Sequence, residues 1–198
     1  MAGFSKQCLL VICSNLRRAS QTVISMKKIV LTYGLIAGVI VSAWLSVNIW
    51  IFYRNGAPCQ NGMVYGYASM IIAFAAVFLG IKRYRDQYQG GVITFGRAFK
   101  VGLLITLIAC TLYVLVWEVL YHFYVPDFME VYSKQYLEDM RASGESAAAI
   151  QAEAERMEQF SELYRNPLFR VLATYMEILP VGLAITLLSA LVLKRRGV

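Results

Sequence analysis

The sequence predicts an all-α polytopic membrane protein: a four-transmembrane-helix bundle with an extracytoplasmic helical hairpin between helices 3 and 4. Three observations predict it. Four apolar stretches each approach the ~20 residues that cross a bilayer as helix. Clusters of Lys and Arg bound them on alternate sides. Of the 198 residues, 59% are hydrophobic and 16% charged, against roughly 45–50% and 25% in soluble domains, so the expected solvent is lipid. The net charge of +7 gathers beside helix ends, where it serves topology and contacts anionic headgroups. The lipid bilayer is therefore an expected partner and nucleic acid is not.

Residues 1–25 fit this plan poorly. The apolar run from Cys8 to Cys13 is too short to span, and Arg17 and Arg18 follow it rather than precede it, unlike a secretory signal. Met26-Lys27-Lys28 looks like a more natural start. The first 25 residues thus read as an N-terminal tail or an upstream extension, and residues 26–198 as the four-helix transmembrane domain.

The spans fall at about 29–52, 63–81, 101–124 and 171–193. Lipid gives helices little hydrophobic reason to associate, so close packing through small residues must do it. The first span carries Gly34, Gly38, Ser42 and Ser46 at intervals of four; the third Gly102, Thr106 and Cys110; the fourth Gly182, Thr186 and Ala190. The second offers Ala76 and Gly80. These stripes predict a compact bundle, with a homodimer face as the other use of the first stripe.

Charge orients the chain. Lys6, Arg17, Arg18, Lys27 and Lys28 precede the first span; Lys82, Arg83, Arg85, Arg97 and Lys100 separate the second from the third; Lys194, Arg195 and Arg196 follow the fourth. Basic loops stay in the cytoplasm, which puts both termini there. Residues 122–170 hold nine acids against five bases and are expected outside. Trp50, Tyr53, Tyr65, Tyr67, Trp117, Tyr121 and Tyr175 form the matching outer aromatic belt.

Between spans two and three, Gly90-Gly91 turns the chain and Thr94 can cap the next helix. Topology alone explains the basic residues here. The functional alternative makes Lys82, Arg83, Arg85, Arg97 and Lys100 a contact for anionic lipid or an acidic partner, with Asp86 orienting an arginine.

The outer segment, about 126–165, reads as two helices. Phe128, Tyr132, Tyr136 and Met140 recur at i+4 after Pro126-Asp127; Ser143-Gly144 breaks the first helix, Ser146 caps the second, and Asn166-Pro167 ends it. The acids on the second helix read as a solvated face.

Two ionisable residues lie within spans, Glu118 and Glu177. Both fall within roughly two turns of the outer boundary at 1.5 Å per residue. His122 follows Glu118 by four, so Glu118, His122 and Glu177 make a candidate proton or cation site, beside which Pro180 can free a backbone carbonyl. The alternative is that all three reach interfacial water.

Enzymatic constellations are missing from the sequence. Cys8, Cys13, Cys59 and Cys110 form no CxxC pair, and Cys59 has no external partner for a disulfide. There is no HExxH, GxSxG or phosphate-binding glycine loop. No catalytic residue, metal or cofactor is expected, and the chain is read as not an enzyme.

The runs Gly66-Tyr67-Ala68-Ser69-Met70-Ile71-Ile72-Ala73-Phe74 and Gly80-Ile81-Lys82-Arg83-Tyr84-Arg85-Asp86, then GGVITFGRAFKVG from Gly90 to Gly102, resemble the bacterial membrane-protein family catalogued as domain of unknown function 4199. Tyr113, Trp117 and the Pro126-Asp127-Phe128 turn continue the likeness over nearly all of Met26 to Arg196. It implies a small four-helix protein of the bacterial inner membrane and no particular activity. The expectation is thus a structural or accessory protein binding another membrane protein or lipid, with a small transporter or channel as the alternative.

Overall fold

The computed structural model describes residues 3–55 and 62–195, and side chains for 26–54 and 64–195. Six helices follow in order: α1 (Gly3–Asn55), α2 (Gly62–Tyr88), α3 (Phe95–Phe123), α4 (Phe128–Ala142), α5 (Ala147–Tyr164) and α6 (Pro167–Leu193). Four carry segments long and apolar enough to cross a membrane: Met26–Arg54, Val64–Tyr88, Phe95–Phe123 and Pro167–Leu193. Even the 25-residue second segment spans about 37 Å at 1.5 Å per residue. That exceeds the ~30 Å hydrocarbon core.

Several helix ends differ from the sequence reading. The first helix begins at Gly3, ahead of Met26. The second runs on through its basic end to Tyr88, while the third starts at Phe95, directly after Thr94, six residues ahead of its apolar span. Hydropathy marks where lipid ends, whereas a helix continues as long as its backbone bonds do. Cys59, placed outside by charge, lies beyond the described residues.

The chain divides into two compact units. Unit 1 comprises Met1–Ala37, Ile71–Ala109 and Gly182–Val198; unit 2 comprises Gly38–Met70 and Cys110–Val181.

Unit 1 is built by close approach. A methyl group placed on Gly182 would sit 2.5 Å from Thr106 Cγ2 and 2.9 Å from the Phe74 ring, and one on Gly102 would sit 2.8 Å from Thr186 Cγ2. The stripes of α3 and α6 therefore face each other. Their threonines, both fully buried, share a hydrogen bond of 2.8 Å between Thr106 Oγ1 and Thr186 Oγ1. Gly34 gives the same clearance to Ile108, and Gly80 to Ile105 and Tyr33. Glycine here lets backbones approach within dispersion range, the attraction available in lipid. The loop between α2 and α3 turns at Gly90 and Gly91, with φ of 61° and 81°. Ile93 then forms an isolated antiparallel bridge with Arg195, whose N–H donates to the Ile93 carbonyl at 3.0 Å.

Unit 2 holds the hairpin. The N–H of Ala149 donates to Ser146 Oγ at 3.2 Å, capping α5, and α4 ends at Ser143 before Gly144 with φ of 78°. Asp127 caps α4 by position only; its carboxylate instead accepts from the Tyr53 hydroxyl at 2.8 Å. Asn166 accepts from the Leu168 N–H at 2.9 Å and starts α6. Trp117, Val125, Met129 and Tyr164 form a buried hydrophobic cluster.

Candidate functional site

Glu118 and Arg170 make the principal polar contact of unit 2. Arg170 Nε donates to Glu118 Oε1 at 2.8 Å and its Nη2 to Oε2 at 2.6 Å, a two-pronged pair. Its Nη1 donates to the Tyr164 carbonyl at 3.3 Å. The guanidinium lies 4.1 Å from the centre of the Tyr121 ring. With the arginine side chain 7% exposed and the glutamate 24%, the pair is well shielded. A shielded charge is tolerated only with a close partner and satisfied hydrogen bonds, and this one has both.

A second layer supports the pair. Trp117 Nε1 donates to the Tyr164 hydroxyl at 2.7 Å, and Thr174 Oγ1 to the Arg170 carbonyl at 2.8 Å. Burial pushes the Tyr164 phenol above its ordinary range, partly offset by its hydrogen bond with Trp117.

The structure separates the three residues of the candidate proton or cation site. Glu118 is taken by Arg170. His122 is exposed and packs edge to face on Phe123 with ring centres 4.8 Å apart. Glu177 lies near Tyr113 and lines a cavity of about 610 Å³ with residues of α4 and α5. Among the described residues no group of three or more His, Cys, Asp or Glu is placed to hold a metal ion.

The basic loop residues of unit 1 also divide. Arg85 is buried; its Nε donates to Asp86 at 2.7 Å and its Nη1 to the Leu193 carbonyl at 3.4 Å, tying the end of α2 to the end of α6. Asp86 thus does orient an arginine, but one turned inward. Lys82, Arg83, Arg97 and Lys100 are exposed. Arg83 bonds Gln87 at 3.1 Å and Tyr33 at 3.5 Å, and Arg97 bonds Gln89 at 2.9 Å.

The model of a family described as a protein of unknown function, DUF4199, matches residues 32–195. The chain belongs to this family. No curated protein and no solved structure matches it. This DUF4199 protein is a multi-pass integral membrane protein by its four apolar helices.

Sequence reasoning missed Arg170, which it counted among the bases of a solvated segment. The signal was present. An acid within a span calls for a charged or hydrogen-bonding partner or a polar cavity at its own depth, and Arg170 stands one turn inside the helix opened by Asn166-Pro167.

Proposed function

We propose that this DUF4199 protein is a structural or accessory membrane protein that binds another membrane protein or lipid, without enzymatic activity. Its location in this reading is the bacterial inner (cytoplasmic) membrane, with both termini cytoplasmic and the hairpin outside. The charge asymmetry of the flanking segments supports that orientation. The observation that carries the functional reading is how its shielded charges are used. Glu118 is bound by Arg170, and Arg85 by Asp86 and a helix-end carbonyl, so these groups stiffen the fold instead of lining a path. The exposed cations Lys82, Arg83, Arg97 and Lys100 suit anionic headgroups. Extraction from the native host in lipid discs, followed by native mass spectrometry, tests the proposal. The expected result is a stoichiometric second membrane protein or a fixed number of retained lipids; a bare chain argues against it.

One observation favours the transporter reading. Glu177 lines a cavity and has no ion-pair partner among the described residues. Proton or cation flux into vesicles carrying the purified protein, lost in Glu177→Gln, would establish that reading.

A further inference from the structure

The cavity that Glu177 shares with the hairpin differs in kind from a proton path. Its volume of about 610 Å³ falls within the roughly 300–1,000 Å³ of small-molecule sites. Aromatic rings come from both hairpin helices. Phe128 and Tyr132 of α4 stack with centres 5.8 Å apart, and Phe160 and Tyr164 of α5 lie 5.6 Å apart. Met129 and Met157 add thioethers to the lining. Tyr164 and Met129 are buried, 8% and 7% exposed, whereas Tyr132 and Phe160 are 40% and 41% exposed. The cavity thus has an aromatic floor and an aromatic mouth.

Its charge has one sign to spare. Glu153 is paired with Arg156 at 3.3 Å on the α5 side, while Glu177 of α6 supplies a carboxylate with no cation beside it among the described residues. We infer that this cavity binds an organic cation, an ammonium group carried on an apolar body. Aromatic faces attract such cations through their quadrupole, most strongly where water is excluded, and thioethers pack well against the attached alkyl groups. A hard metal ion is a poor fit. It requires six or more oxygen ligands, and this lining offers a single carboxylate outside an ion pair. An anion would meet Glu177 with no compensating cation, since Arg156 is already paired.

The ammonium can come from a phosphatidylethanolamine headgroup or from a free amphiphilic cation, and the inference holds whether the protein is an accessory or a transporter. The test uses full-length protein in maltoside micelles, titrated with decyltrimethylammonium, decanol or decanesulfonate and read by native mass spectrometry. The cation is expected to bind at least about tenfold more tightly than its neutral and anionic counterparts. Glu177→Gln and, separately, Tyr132→Leu at the exposed mouth should each remove most of that preference. In discs of mixed phosphatidylethanolamine and phosphatidylglycerol, selective retention of phosphatidylethanolamine identifies lipid as the source. Cation binding in micelles without that retention identifies a free amphiphile. Equal binding of the three probes by the wild-type protein, a comparison that needs no variant to fold, overturns the proposal. So does an unchanged preference in both variants.

Discussion

Unit 1 coheres where its backbones come close, whereas unit 2 is held by charged and aromatic side chains that meet between its helices. In the first, Gly102 and Gly182 let α3 and α6 meet at a distance that leaves no room for a methyl group, and a threonine pair joins them there. In the second, Arg170 gathers Glu118, Tyr121 and the Tyr164 carbonyl, and rings from α1, α3, α4, α5 and α6 pack against one another. The difference follows from solvent. Where both helices are immersed in hydrocarbon, dispersion at close range is the available attraction. Unit 2 also carries the polar hairpin, and there large amphipathic side chains gain from an apolar body and a hydrogen-bonding tip.

The contrast can be broken from either side. The largest effect is expected in unit 2: Arg170→Ala leaves Glu118 shielded and unpaired, which should cost about 3–5 kcal/mol, measured by reversible unfolding in mixed micelles. In unit 1, Gly182→Val forces α3 and α6 apart, with an expected loss of about 1–3 kcal/mol in the same assay. Thr106→Val should cost about 1 kcal/mol, by orphaning the Thr186 hydroxyl. The paired change Thr106→Val with Thr186→Val should recover most of it, because no polar group is then left alone.

Two smaller tests sharpen the comparison. Tyr164 has a raised pKa in the fold because it is buried, so the folded state holds the phenolic proton more tightly than the unfolded chain. Its contribution is complete below the unfolded value of about 10 and falls as pH rises beyond it. Alkaline unfolding of the wild-type protein should therefore be steeper above that pH than in Tyr164→Phe. Ser42 Oγ is buried with no hydrogen-bond partner among the described residues. Ser42→Ala is expected to leave stability unchanged or raise it by up to about 1 kcal/mol.

Much of the fold was legible from the chain. Hydrophobic length marked four spans, and the i+4 recurrence from Phe128 to Met140, the Ser143-Gly144 break and the Ser146 cap located the hairpin to within a few residues. The small-residue stripes marked close-packing faces on α3 and α6, because small residues at intervals of four suit helix contact in lipid, but not that these two faces meet each other. The candidate site was less legible. Glu118 stood out as an acid in a span, but its partner lies 52 residues away, and sequence spacing carries no information about contacts across helices. Proximity along α3 suggested His122 instead, four residues on, whereas the exposed ring rests on Phe123. The cavity was invisible for the same reason, since its lining comes from three helices.

Shielded charge holds unit 2 together through Glu118 and Arg170. A double-mutant cycle tests it most directly, with Glu118→Leu, Arg170→Met and the two combined, each unfolded in mixed micelles. Each single change should lose several kcal/mol, and the combination should regain most of the loss, because neither charge is then buried alone. Single changes that leave stability within about 0.5 kcal/mol of wild type, or losses that simply add, would contradict it.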